Sequence, residues 1–527
     1  MKMNKIRELA CFALCALAAV VSCADTFPNA GGDIASAAEW GGPVPSEVTL
    51  DQTGTYTVGS DISLTKMILA GGHVTFDLTD PSSGKVTLAS GVSGVKDGFY
   101  ISSAGIYTTN FIKGGVWDFS NKGSFGITRT EGSGSSAQYA SLTVSDGAVI
   151  TNCGSVRVAF CKGPCNNQLI LTGSGTTVHA PGSGYVMVSR YGGLTEGVKA
   201  SLQILDGARL LYPGQSLYTD YTSGVTATSP IRSDSSVVVS GAGSLLNGRY
   251  LRLGGKCHTG PAVSIGNGAS LQLNDKIFIG EAEYTSDCNV FITNNATASV
   301  GGIYVAAAAN SHGHRLTVAD GATLSVSDHI YLGAIGAYEN SMIVSNANVS
   351  CRTFKFMNSE SNTLYVCGSD ATLACEDFFF GNNGMATNAT IVLGGKSPVI
   401  AVNGSTGSNG TITYADTAST GTVTFRVPAG GYATTPFCFT GSANFRAGIA
   451  LDVDLSECLA RGKRSAFRST LVQSGGTLTL NAAQLAAAQA SVDAQLDAAE
   501  CRGSLEKVEN SLVLTVRPSM GIAIIIK

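Results

Sequence analysis

The chain has 527 residues, 65 of them Gly, with 44% hydrophobic and only 13% charged residues and a formal net charge of −4. That hydrophobic share excludes disorder, Gly without a three-residue period excludes collagen, and with no basic stripe and no acidic block the chain reads neither as a nucleic-acid binder nor as a cation sponge. A Gly-, Thr- and Val-rich, charge-poor composition belongs to many short strands joined by tight turns.

At the N-terminus, Lys2, Lys5 and Arg7 precede an apolar run from Leu9 to Val21. The run is too short to span a bilayer and has the length of a secretory h-region. Residues 1–24 therefore read as a signal peptide, and the protein as exported, either secreted or held at the cell surface or outer envelope. Two exits are open: cleavage after Ala24, or a lipobox-like Val20-Val21-Ser22-Cys23 that would lipidate Cys23 and anchor the chain. No later segment has the length and apolarity of a membrane helix, so no transmembrane segment is expected after signal removal.

Residues 25–47 read as an N-terminal linker or cap. From Val48 the sequence alternates (VTLDQTGTYTV, HVTFDLTD), and from Leu142 it repeats: LTVSDGAVI at Leu142, LQILDGARL at Leu202, VSIGNGASLQL at Val263, LTVADGATLSV at Leu316. Each unit has an alternating strand, an Asp-Gly or Asn-Gly turn, a second strand and a third. The third strands include YLRLG at Tyr250, IFIGE at Ile277, IYVAA at Ile303, IYLGA at Ile330, FKFMN at Phe354 and FFFGN at Phe378. One inward position can be followed through Val144, Leu171, Ile204, Val239, Ile265, Ile292, Val318, Val344, Val366 and Leu393, in steps mostly near 27 residues. Units of this size cannot bury an apolar face alone, but stacked units can. The predicted fold is all-β: a right-handed parallel β-helix over residues 48–427, of about 14 coils and roughly 65 Å at about 4.8 Å per coil. Antiparallel hairpins closed by the Asp-Gly pairs are the competing reading, but they do not predict a three-strand period.

Of 14 cysteines, Cys11, Cys15 and Cys23 fall in the signal region. Cys351 and Cys375 share the last inward position of the second strand, one coil apart and within disulfide reach, or else serve as two buried small hydrophobes. Cys161 with Cys165, and Cys257 with Cys288, are candidate loop disulfides.

Arg252, Phe278, Tyr304, Tyr331, Lys355 and Phe379 occupy one outward position of successive third strands. Aromatic rings about one strand spacing apart could stack on sugars; they could equally stack on one another without a ligand. Ser311-His312-Gly313-His314 resembles the Gly-His-Gly element of β-helical polygalacturonases, but no Asp-Asp pair accompanies it for glycoside hydrolysis. It reads as a solvated loop. No catalytic residue, metal site or cofactor is predicted.

Residues 428–527 read as a C-terminal cap with one Ala-rich helix over about 482–501, capped by Asn481, stopped by Gly503 and carrying Leu485, Val492 and Leu496 on one face. Strands at Ser511–Val516 and Gly521–Ile526 would close it. An uncapped solenoid end invites polymerisation.

The repeat LTVADGATLSVSDHIYLG, spread over roughly Ser141 to Val427, resembles the repeats of autotransporter-passenger-like β-helix proteins of bacterial surfaces. Such proteins end in a C-terminal translocator barrel, and no region of that kind is recognised after Val427. The resemblance implies adhesion or a structural role, with a polysaccharide or another surface protein as partner. The reading is thus a non-enzymatic β-helix; the alternative is a polysaccharide lyase or glycoside hydrolase on the same scaffold.

Overall fold

The computed structural model describes residues 25–518 except 71–72, 89–98, 102–106, 121–122, 128–137, 162–164, 183, 192–197, 223–230, 233, 257, 382–383, 406–409, 415–417 and 461–464. The expected signal peptide with Cys23, the thiol partner Cys257 and the strand at Gly521–Ile526 lie outside these residues.

The described chain is all-β and solenoid-like. One sheet contains 16 strands, each paired in parallel with the next. A second contains 27 strands, to which most turns of the chain give two strands each. Between Gly54 and Arg426 the 16-stranded sheet takes 14 strands from the chain. Parallel pairing extends beyond both expected boundaries of the repeat. It begins with Asp25↔Val48 and continues to Ala443↔Leu478.

The inward column lies in one register from end to end. Val144 pairs with Leu171, Leu171 with Ile204, and so on through Ile265↔Ile292, Ile292↔Val318 and Val366↔Leu393. Each of these side chains is fully buried. The reason is the period-2 geometry of a strand, which sends alternate residues to opposite faces. In the coil from Leu316, the residues Leu316, Val318, Leu324, Val326, Ile330 and Leu332 point into the core, while Thr323 and Ser325 are exposed.

The corners explain why Asp-Gly pairs do not close hairpins here. Asp206 and Gly207 have φ of 53° and 88°, and Asp320 and Gly321 have 55° and 78°. The following amides, Ala208 and Ala322, donate to the carbonyls of Leu205 and Ala319 at 3.0 and 3.2 Å. Only Gly, Asn and Asp adopt two such conformations at low cost. The flanking strands then enter different sheets, and each pairs in parallel with the neighbouring coil rather than with its sequence neighbour.

A short helix α1 (Ala37–Trp40) lies near the start of the described chain, where Trp40 packs edge-on against Phe27 at 4.9 Å. At the other end is α2 (Ala482–Ala498). Asn481 caps it as expected, in a capping box: its side chain accepts from the Ala483 amide at 2.8 Å, and the Gln484 side chain accepts from the Asn481 amide at 2.9 Å. The helix is shorter than expected. Glu500, at φ 54°, turns the chain, and Cys501–Val508 is a strand that contains Gly503. Of the expected face, Val492 and Leu496 are buried, together with Gln484 and Ala488, while Leu485 is half-buried against the core.

Two glutamines of the helix, Gln484 and Gln495, seal the solenoid. Gln495 Nε2 donates to the Val453 carbonyl at 2.7 Å, and its Oε1 accepts from the Leu455 amide at 2.8 Å. Gln484 Nε2 donates to the carbonyls of Arg446 and Ile449. The helix thus satisfies backbone groups at the last strand of the 16-stranded sheet, which would otherwise form an open edge. The 27-stranded sheet ends differently: Phe467–Ser474 pairs antiparallel with Ser511–Pro518, which pairs antiparallel with Cys501–Val508.

Candidate functional site: the outer face of the third strands

Leu251, Ile277, Ile303, Ile330, Phe354 and Phe378 are fully buried, which forces their neighbours on each third strand outward. The register is continuous: Arg252↔Phe278, Phe278↔Tyr304, Tyr304↔Tyr331, Tyr331↔Lys355 and Lys355↔Phe379. All six side chains are half-exposed. The structure therefore brings the predicted column together. It also extends it by one rung to Tyr218, the register partner of Arg252. Tyr218 escaped notice because its strand, Arg209–Thr222, is 14 residues long and lacks the closing Gly that marks several of the other third strands.

Within the column the side chains engage one another. Phe278 and Tyr304 stack at 5.2 Å and 18°, whereas Tyr331 meets Tyr304 edge to face at 5.0 Å. The Arg252 guanidinium lies 4.7 Å from the Tyr250 ring centre and 4.9 Å from that of Phe278. It also pairs with Glu281. Lys355 Nζ lies 5.3 Å from Tyr331 and 4.7 Å from Phe379. These are cation–π distances. The rings consequently turn edges, more than open faces, to solvent.

A second outward row runs beside the first and was not singled out in the sequence. It contains Tyr250, Lys276, Gly302 and His329, with His329 paired to Thr353 and Thr353 to Asp377. His329 is almost fully buried, stacks on Tyr331 at 4.0 Å, and places Nδ1 2.6 Å from Asp328 Oδ2. Burial lowers its pKa, and the Asp328 carboxylate pulls it back. Burial likewise lowers that of Lys355 and raises those of Tyr304 and Tyr331, helped at both tyrosines by Asp328. The strip is partly dehydrated, and its charges are balanced locally: Arg252 by Glu281, and Arg249 by Asp275 at 3.6 Å.

The Ser311–His314 segment is not the solvated loop expected. His314 is fully buried: its Nδ1 accepts from the Cys288 amide at 3.1 Å, and Nε2 lies 3.3 Å from Thr285 Oγ1. It belongs to a ladder in which His314 N donates to Asn340 Oδ1 at 3.0 Å, and Asn340 N to Asn362 Oδ1 at 2.9 Å. Gly280, at φ 69°, makes the room; a Cβ there would collide with the imidazole. Burial holds the His314 pKa down at about 3, with His312 a smaller contribution. His312 is partly exposed and stacks on Tyr338 at 4.7 Å. The signal in the sequence was the Gly that follows several third strands, which marks a corner with no space for a side chain.

Cys351 and Cys375 are register partners, both buried, and are free thiols. A hydrogen bond from one to the other, with burial, raises Cys375 well above the ordinary thiol range. Cys288 is a buried free thiol and Cys165 is buried; the side chain of Cys161 and all of Cys257 are outside the described residues. Among the described residues no group of three or more His, Cys, Asp or Glu is placed to hold a metal ion, and no helix is long and apolar enough to cross a membrane.

Comparison of the chain with family models, with curated proteins and with solved structures finds no match.

Proposed function

We propose that the chain is an exported, non-enzymatic surface or secreted protein with an adhesive or envelope-structural role, built as a right-handed parallel β-helix of three-strand coils. The hand follows from the strong preference of parallel crossovers for right-handed connections. Export rests on the charged N-terminus and the Leu9–Val21 run. The kinship to autotransporter passengers rests on the repeat.

The observation that carries the functional reading is the unbroken outer column from Tyr218 to Phe379. Six steps of about 4.8 Å give a strip nearly 30 Å long, enough to lie along several sugar units. Its ion pairs are internally matched, which favours a neutral polysaccharide over a polyanion. Ring edges and half-exposed cation–π pairs offer both apolar contact and hydrogen-bond donors to sugar hydroxyls. The enzymatic alternative draws on one feature, the Asp328–His329 contact beside two tyrosines, which has the make-up of an acid–base pair.

Affinity electrophoresis against neutral and anionic polysaccharides, with assay of new reducing and unsaturated ends, separates these readings. The expected outcome is retardation by a neutral polymer, weakened about ten-fold when Tyr304→Ala and Tyr331→Ala are combined (about 1.4 kcal/mol), with no new ends. New chain ends that disappear in His329→Gln would establish the enzyme instead. Unaltered migration with every polymer would remove the binding claim.

A further inference from the structure

His329 sits in a niche made by a glycine of the preceding coil. A Cβ on Gly302, its neighbour in the second outward row, would stand 3.2 Å from His329 Nε2 and 3.4 Å from Cε1, so the imidazole takes the room that a side chain there would fill. The two ring nitrogens have unequal surroundings. Nδ1 lies 2.6 Å from Asp328 Oδ2. A carboxylate only accepts, so Nδ1 carries the proton of the neutral ring. Nε2 is buried against Gly302 and has no hydrogen-bond partner among the described residues. A neutral imidazole tolerates that place, because Nε2 then bears only a lone pair. An imidazolium does not, because it would bury a second N–H and its share of the charge with no acceptor in reach.

The groups around the ring sharpen the contrast. Its own strand, Thr323–Leu332, brings Asp328 and Tyr331, and Gly302–Val305 brings Tyr304. Lys276 acts on it from Lys276–Ile279 and Lys355 from Asn348–Phe356, positive charges on an earlier and a later coil. Farther out, Asp275 acts on Tyr304 and Asp377 on Lys355. Burial lowers the His329 pKa from its ordinary 6.5, Asp328 opposes that, and the two lysines add to it. The ring is therefore neutral above pH 6.5 and takes its proton at lower pH. The same ring supports the column: it stacks on Tyr331 at 4.0 Å and meets Tyr304 edge to face at 5.0 Å. Water lies on the open side of the sheet, and the ring reaches it only by leaving both tyrosines.

We propose that His329 is an acid-operated latch on the third-strand column: protonated at Nε2, the imidazole leaves the niche over Gly302, Tyr331 and Tyr304 lose their support, and the column releases its polysaccharide. The release rests on the reading of the column as a binding strip, whereas the latch is a property of the free chain and is measured there. The chemical step is the uptake of one proton from solvent, with no other bond made or broken. In the acid form two loosened tyrosines must be immobilised again on binding, which at the usual cost per side chain weakens binding about ten-fold.

Titration of the free full-length chain tests the latch, with isotope-labelled histidine followed by NMR and tyrosine packing by near-UV circular dichroism, over the range in which the far-UV spectrum is constant. The resonance absent from His329→Gln identifies the residue. It should titrate below pH 6.5, together with a near-UV change that His329→Gln does not show. Lys276→Met removes one repelling charge and should move both transitions to higher pH. Gly302→Val fills the niche and should give the acid-form near-UV spectrum already at about pH 7.5. In affinity electrophoresis the parent should bind the neutral polymer about ten-fold more tightly above the transition than below it, and that ratio should approach one in His329→Gln and in Gly302→Val. A His329 resonance that does not titrate before unfolding begins, one that titrates with the tyrosine signal unchanged, or a His329→Gln chain with the pH dependence of the parent would each overturn the latch. If no polymer is retarded at any pH, the binding strip fails, and the titration of the free chain still decides the latch.

Discussion

His314 is enclosed between two coils with both ring nitrogens engaged, and that enclosure sets a pH dependence. Its pKa is near 3 in the folded chain and 6.5 when free. The unfolded chain therefore takes up a proton that the folded chain refuses. The stabilisation from holding His314 neutral is fully present above about pH 6.5 and is lost progressively as pH falls toward 3, to a limit of roughly 4–5 kcal/mol. His314→Asn should fold, because Asn340 and Asn362 fill the same place in the next two rungs and accept the same backbone hydrogen bond. Its urea midpoint should fall less between pH 7 and pH 4.5 than that of the parent. An identical fall would show that acid sensitivity resides elsewhere. The sequence was legible where side chains alternate and opaque where they do not. Each residue of the column from Val144 to Leu393 could be placed because apolar groups recur every second position. His314 could not, because a buried polar group is specified by partners from other coils, Cys288 and Thr285, that no local pattern announces. His329 was missed for the same reason: its role depends on its neighbours Asp328 and Tyr331 and on the empty place above Gly302.

At the scale of elements, α2 does a task that its composition conceals. An Ala-rich segment announces a helix, and Asn481 announces its start, but the glutamines look like solubilising surface residues. Gln484 and Gln495 instead bond carbonyls and an amide at the end of the 16-stranded sheet. Replacing both with Leu keeps helix propensity and strands those backbone groups, at about 1–3 kcal/mol for each buried group left unsatisfied. The expected result is a lower thermal midpoint and, by light scattering, more high-mass species than the parent at equal concentration, through the exposed edge. A variant as stable and as disperse as the parent would mean that packing of Ala488, Val492 and Leu496 alone seals the end. The misjudged helix terminus has a related cause. Gly503 has the look of a stop signal, yet Glu500 makes the turn at positive φ and Gly503 lies opposite Val516 in a strand. A glycine three residues later was thus free to serve close strand pairing.

For the whole molecule, contacts run between neighbouring coils and are similar from one to the next, so stability should accumulate by nearest-neighbour terms. The pairing Asn289↔Arg315, like those on either side of it, carries no offset along the strand. Excising residues 289–314 would therefore join Cys288 to Arg315 at equivalent points, with Asn340 inheriting the place of His314 and Tyr331 that of Tyr304. Such a deletion should fold, remain cooperative and shorten the particle by about 4.8 Å, a change measurable by small-angle scattering. The protein then behaves as a graduated ruler: its reach can be lengthened or cut by whole divisions through duplication or loss of a gene segment, while the two ends, and whatever they hold, stay as they are.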